Sequence, residues 1–327
     1  MPDYIQCTAS VCRYESRGFF KRLFNMIEAF FRQQDVNHIT GDVHYLTLLL
    51  RKHKTVLTVL DCGGMHRLSG LKRRIYQLFW LVLPVWRSAF VSTISEFSKA
   101  ELIRYACCSP NVVQVIPVPV AQEFTPMAKP FNREYPNILQ VGSTDNKNIE
   151  RVAEALAGVP CHLEIIGRLS LSQIAALDRF RIDYSCEHGI SAVGVHAKYC
   201  ACDMVIFAST FEGFGMPIIE ANAIGRPVVT SDVASMPEVA GGAACLVNPL
   251  DTESIRRGIL RLIQDDAYRQ ALIDRGYVNA KRFNTNAIAS QYVQLYEDVL
   301  DHRLRRRARG NAGTSVPGAN DSQYPSF

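Results

Sequence analysis

The stretch Ala208–Glu220, ASTFEGFGMPIIE, decides how this chain is read. It follows the apolar run Met204–Phe207 and leads into Met216–Ile224, so it joins a candidate strand to a candidate helix. Gly213 and Gly215 let the backbone come close to a ligand. The free amides at the start of the following helix, with its dipole, make an anion site, which is a physical reason to expect a phosphate. Glu212 lies in the loop at the strand end, within reach of whatever the phosphate carries. Glu220 lies about one turn into the helix, where its carboxylate could accept hydrogen bonds from ribose hydroxyls; a carboxylate near phosphates needs such donors. Spacing alone leaves open an ordinary glycine turn with two solvated glutamates.

Outward from this stretch, short apolar β-rich runs alternate with longer amphipathic ones. Strands are expected at Tyr4–Thr8, Val36–Ile39, Thr55–Val59, Ala89–Ile94 and Val112–Ile116, then at Asn137–Val141, His162–Ile166, Ile182–Cys186, Met204–Phe207, Pro227–Thr230 and Ala244–Val247. Helical segments are expected between them, near Phe19–Phe31, Tyr45–Arg51, Leu71–Leu83 and Glu96–Cys107, and again at Thr252–Asp265, Ala267–Arg282 and Thr285–Leu300. Ser98 and Glu101 in SKAE have capping-box spacing. Runs such as CHLEIIG are apolar without alternation, as in parallel strands covered on both faces. The class is therefore α/β, with two doubly wound domains. Pro117–Tyr135 carries four prolines and no periodicity, and separates them. The expected organisation is a first domain over 1–120, a linker over 121–135, a second domain over 136–284, a helix over 285–302 crossing back to the first, and a disordered basic tail over 303–327. Ligands of such folds sit at the carboxyl ends of strands.

At 327 residues the length suits two domains, and 48% hydrophobic with 20% charged residues suits folded cores and excludes a disordered chain. The net charge of +5 is misleading, because 303–327 hold five arginines against one aspartate, leaving +1 for 1–302. That near-neutral body argues against a nucleic-acid partner. No apolar run is long enough to span a bilayer, and the amino terminus lacks a signal-peptide pattern, so a cytoplasmic setting is expected. The ten cysteines form no CxxC pair and are expected as buried reduced thiols. Leu71–Trp86, LKRRIYQLFWLVLPVW, joins basic residues to an apolar run and is a candidate for peripheral contact with an anionic membrane, although a buried helix with a solvated basic start reads the same way.

With ANAIGRPVVTSDVASMPEVAGGAACLVNP after it, the opening stretch resembles the C-terminal half of the retaining GT-B glycosyltransferases of family 4, the group 1 transferases. The resemblance is good over Asn137–Leu300 and looser over Val36–Val120. It implies two Rossmann-like domains facing across a cleft. The family's E-x7-E pattern stands as Glu212 and Glu220. The resemblance implies that the first contacts the donor sugar, the second the nucleotide ribose, and the amides of Gly213, Phe214 and Gly215 the diphosphate. In Val141–Asn148, VGSTDNKN, Gly142, Ser143 and Lys147 fall at another strand end. Lys147 would neutralise charge on the leaving nucleotide, without the arginine that family members often carry before it. The segment Gly189–Ser191 falls where the family contacts the base.

The first half would serve the acceptor. His44, in HITGDVHY, and Asp61, in TVLDC, fall at strand ends, whereas His38 lies within its strand as a candidate core residue. The histidine that often precedes the family's aspartate is here Leu60, so His44 or Asp61 is expected to take part of its role. Ser95 is read as a helix cap. The first domain looks shortened by a strand–helix piece. The implied activity is retaining, metal-independent transfer of a sugar from a nucleotide-diphosphate-sugar donor to a saccharide or lipid-linked acceptor in polysaccharide, lipopolysaccharide or other glycoconjugate assembly, with no cofactor. Leu60 and the short first domain motivate a second reading, a nucleotide-sugar-binding or scaffold protein with impaired catalysis. A dinucleotide-dependent oxidoreductase is excluded, since G-x-G-x-x-G does not follow a first strand.

Overall fold

The computed structural model describes residues 4–312, with side chains through Asp301. Two parallel sheets organise it. The first holds β1 (Asn37–Ile39), β2 (Thr55–Val59), β3 (Phe90–Thr93) and β4 (Val113–Val115), in the order β1-β2-β3-β4. The second holds β5 (Asn137–Val141), β6 (His162–Ile166), β7 (Asp183–Glu187), β8 (Met204–Phe207), β9 (Val228–Ser231) and β10 (Cys245–Val247), in the order β10-β9-β8-β5-β6-β7. Every pairing is parallel. All residues of β2, β8 and β9 are buried, as covered parallel strands require. In the second sheet the strand order reverses between β5 and β8, and a crevice opens outside the carboxyl ends at such a switch point. The four-stranded first sheet is the smaller, as expected.

Several expected elements come out differently. Tyr4–Thr8 forms no strand, and β1 is the edge of the first sheet. Tyr45–Arg51 is replaced by a short 3-10 turn, His44–Leu48. The expected helix Leu71–Leu83 is broken into Gly70–Tyr76, a π-helical stretch Gln77–Val82 and Leu83–Trp86. The cap of the helix Glu96–Ala106 is not Ser98 in SKAE but Ser95, whose extended backbone lets its side chain accept from the Ser98 amide. The last helix, Thr285–Ala312, runs on into the segment expected to be a disordered tail, because Arg, Leu and Ala are good helix formers; 313–327 lie outside the described residues. No disulfide joins the ten cysteines. Cys62, Cys161, Cys202 and Cys245 are buried, but Cys7, Cys107 and Cys186 are exposed, against the expectation of buried thiols.

The final helix packs on the first sheet. Ile288, Leu295 and Val299 are buried, and the Tyr296 hydroxyl lies 2.8 Å from His38 Nδ1. His38 Nε2 is 2.6 Å from the Thr58 hydroxyl, itself 2.6 Å from Ser92. His38 is thus the satisfied core residue its place in the strand suggested. Burial lowers its pKa to about 4. The unfolded chain then binds the proton more readily, so this contribution to stability is whole above pH 6.5 and is lost as pH falls towards 4. The loss is at most about 3 kcal/mol. Urea unfolding midpoints should fall across that window, and less steeply in His38→Gln; equal slopes would mean that His38 does not set the dependence.

Candidate functional site

β5 and β8 run into two loops that meet over the switch point. The Thr210 amide donates to the Asn146 carbonyl at 2.8 Å, tying one loop to the other. Lys147 ends a 3-10 turn after β5. Its Nζ lies 2.6 Å from Glu212 Oε1 and 4.4 Å from the centre of the Phe207 ring. Both side chains of the pair are 16% exposed, so the charges are drawn partly from water but remain reachable. Asn146 Nδ2 donates to the same Glu212 oxygen at 3.0 Å and to the Phe211 carbonyl at 2.9 Å. Gly142 makes room for the lysine: a methyl group there would stand 2.8 Å from Lys147 Cε, and its φ of +87° disfavours any side chain. Ser143 turns away, donating to the Arg168 carbonyl at 2.8 Å.

The glycine loop is held from below. Ser235 Oγ lies 2.9 Å from the Glu212 carbonyl and 2.8 Å from that of Phe214. Phe214 buries its side chain against Phe283, edge to face, so only its backbone is offered to a ligand. Gly215, at φ +111°, opens the helix Met216–Ile224, whose amino end has Pro217 in its first turn and no side-chain cap. Uncapped amides at a helix start suit an anion. Glu220 is half-buried farther along that helix, and its Oε2 accepts from the Tyr199 hydroxyl at 2.5 Å.

The first sheet closes over this loop. Ser95 Oγ donates to the Gly213 carbonyl at 2.7 Å, and Ser98 Oγ lies 3.1 Å from that carbonyl and from that of Leu60. The Glu238 carboxylate accepts from the amides of Glu96 and Phe97 at the start of Glu96–Ala106. Asp61 stands beside Gly213 with Oδ1 accepting from the Gly63 amide at 2.6 Å. His44 is placed otherwise than expected. It is 4% exposed and its Nδ1–H donates to the Trp80 carbonyl at 2.7 Å. Burial lowers its pKa despite that carbonyl, Asp42 and Asp61. Its hydrogen bond serves the first domain's own core, and no hydrogen bond joins it to Lys147 or Glu212. Leu60, 41% exposed, presents an alkyl group at the end of β2. Asn146, Ser98, Ser235 and Tyr199 were not foreseen as site residues. Asn146 alone carried a signal, as a polar residue beside Lys147 in the same strand-end loop.

Residues 135–265 match the family model described as glycosyl transferases group 1. Among curated relatives, the O-antigen chain mannosyltransferase B of Escherichia coli is 28% identical, over 63% of this chain and 60% of its own length. The MMP alpha-(1->4)-mannosyltransferase of Mycolicibacterium hassiacum is 26% identical, over 64% of this chain and 54% of its own. The chain thus spans less than two thirds of these relatives. Among solved structures, the sucrose-phosphate synthase of Thermosynechococcus elongatus superposes with a TM-score of 0.73 at 22% identity, covering 84% of this chain and 77% of its own. With two facing parallel sheets, the chain therefore has the GT-B fold, and its residues 135–265 are similar to the group 1 glycosyltransferases.

Proposed function

We propose that the chain transfers mannose from a nucleoside-diphosphate-sugar donor to a saccharide or lipid-linked acceptor, with retention of configuration and without a metal, in the assembly of a surface polysaccharide or glycolipid. The observation that carries this reading is the Lys147–Glu212 pair at the switch point, directly beside the uncapped amides of the glycine loop. In the donor complex Lys147 would turn from Glu212 to the leaving diphosphate, and the amides of Gly213, Phe214 and Gly215 would share that charge. Glu212, relieved of its cation, would accept from a hydroxyl of the donor sugar. Charge built up in the transition state then meets groups already in place. Asp61 is the first-domain carboxylate beside Gly213, and His44 would act through the packing beneath it. The choice of mannose follows the two relatives' names.

The acceptor side has a surface suited to lipid. The helix Phe19–Phe31 exposes Phe19, Phe20 and Phe31 beside Lys21; Leu71 is exposed next to Lys72, Arg73 and Arg74, and Trp86 is exposed at the other end of that helical run. Aromatic and basic side chains together fit an anionic interface. No helix among the described residues is long and apolar enough to cross a membrane. One screen tests the whole reading. Purified protein is given GDP-, UDP-, ADP- and dTDP-linked sugars, in EDTA, with and without phosphatidylglycerol vesicles. Thermal stabilisation by one donor, its slow hydrolysis and sedimentation with the vesicles are expected. Stabilisation without release on any acceptor would favour a binding protein with impaired catalysis, a reading that Leu60 motivates; no stabilisation by any nucleotide would overturn the donor site.

A further inference from the structure

Tyr199 is fully buried in the helix Ala192–Ala201, yet carries a hydroxyl, and among the described residues that hydroxyl makes one bond, to Glu220 Oε2 at 2.5 Å. Its surroundings fix it firmly. Arg226, 3% exposed, donates through Nε to the Tyr199 carbonyl at 3.1 Å and through its other nitrogens to the carbonyls of Cys200 and Met127. Phe124 packs edge-on against the ring, with centroids 5.4 Å apart. A phenol held this rigidly can choose one rotamer and one ionisation state for its partner. A carboxylate that accepts at Oε2 keeps Oε1 as an acceptor, and among the described residues no hydrogen bond engages Oε1.

We infer that Tyr199 is a positioning residue, which orients Glu220 as an acceptor for the vicinal hydroxyls of a ribonucleotide. The inference rests on the donor site proposed above, and adds what makes Glu220 competent there. Burial raises the Glu220 pKa above the ordinary carboxylate value, the Tyr199 hydrogen bond pulls it down, and Glu123 raises it. Tyr199 and Glu123 are the titratable groups that act on it. Without the phenol, the carboxyl group protonates at higher pH and turns from acceptor to donor on one oxygen.

The experiment is calorimetric binding of GDP and UDP, each beside its 2′,3′-dideoxy counterpart, across pH 5 to 8. Tyr199→Phe keeps the buried ring and loses only the hydroxyl. The wild type should prefer the ribonucleotide by about tenfold, the size of effect given by a charge-assisted hydrogen bond. In Tyr199→Phe that preference should fall towards unity, and the acid limb of binding should move to higher pH. In a Glu220→Gln background, Tyr199→Phe should change neither quantity, because its effect passes through the carboxylate. An unchanged preference and acid limb in Tyr199→Phe overturn the inference while leaving the donor site standing. Binding of neither nucleotide by the wild type overturns the donor site and the inference with it.

Discussion

Lys147→Ala is expected to reduce transfer by roughly 100- to 1000-fold in kcat, the range seen when one preorganised stabiliser of developing charge is removed. The side chain sits where β5 ends, 2.6 Å from Glu212 Oε1, and among the described residues no other Lys or Arg pairs with that carboxylate. Family members often carry an arginine ahead of this lysine; here Ser143 occupies the region and its hydroxyl is spent on the Arg168 carbonyl. The whole cationic contribution from this loop therefore falls on one residue. Glu212→Ala should be comparably severe, for a different reason: in the proposed donor complex it would remove the acceptor for the sugar and leave Lys147 with its charge satisfied by the diphosphate. The variants should then separate on donor binding. Lys147→Ala should weaken nucleotide affinity, whereas Glu212→Ala should keep or improve it, since no carboxylate then competes with the phosphate. Each leaves one charge of a pair that is only 16% exposed without its partner, so each should cost stability on the order of 1–3 kcal/mol, and transfer is compared per folded molecule. Turnover within a few-fold of wild type in both variants would remove the pair from the reaction.

Much of this arrangement is legible in the sequence. Asn137–Val141, His162–Ile166 and Met204–Phe207 coincide with observed strands residue for residue, because buried parallel strands are continuous apolar runs bounded by polar loops. Glu212 and Lys147 stand out for the same reason, being charged residues at the ends of such runs. What could not be read depends on distance in sequence. Tyr199 looks like one more apolar position of a helix; its importance comes from Glu220, 21 residues on. Ser235 supports carbonyls 21 and 23 residues before it, and nothing local distinguishes it from a turn serine. His44 went the other way. A histidine at a strand's carboxyl end suggested the cleft, but the 3-10 turn His44–Leu48 carries it down against the Trp80 carbonyl. Short turns of this kind have too little periodicity to be anticipated, and they decide which way a side chain points.

Gly213→Ala is the second substitution expected to be severe, and its effect should be on transfer rather than on nucleotide binding. Gly213 is not in the left-handed region, so backbone strain is not the issue; space is. A methyl group at Gly213 would stand 2.6 Å from the Leu60 carbonyl oxygen and 2.8 Å from Asp61 Cβ. Those atoms are at the end of β2, on the opposite sheet, and a backbone carbonyl cannot rotate aside like a flexible side chain. On the same spot Ser95 and Ser98 reach the Gly213 carbonyl. Here the two sheets touch through main-chain atoms, and the methyl group must drive them apart. A displacement near 1 Å at the reacting groups can lower the rate about 100-fold, and it would separate Asp61 from the Lys147–Glu212 pair. The second domain alone carries the lysine, the helix amides and Glu220, so nucleotide affinity should change less than about threefold, under 1 kcal/mol. The comparison to make is Gly242→Ala, where the added methyl meets nothing within 4 Å although φ is +79°. That variant should lose stability through strain and keep its transfer rate per folded molecule. If Gly213→Ala also retained full transfer, the close approach of the loop to Leu60 and Asp61 would not belong to the working geometry, and the acceptor would have to be met by a more open cleft.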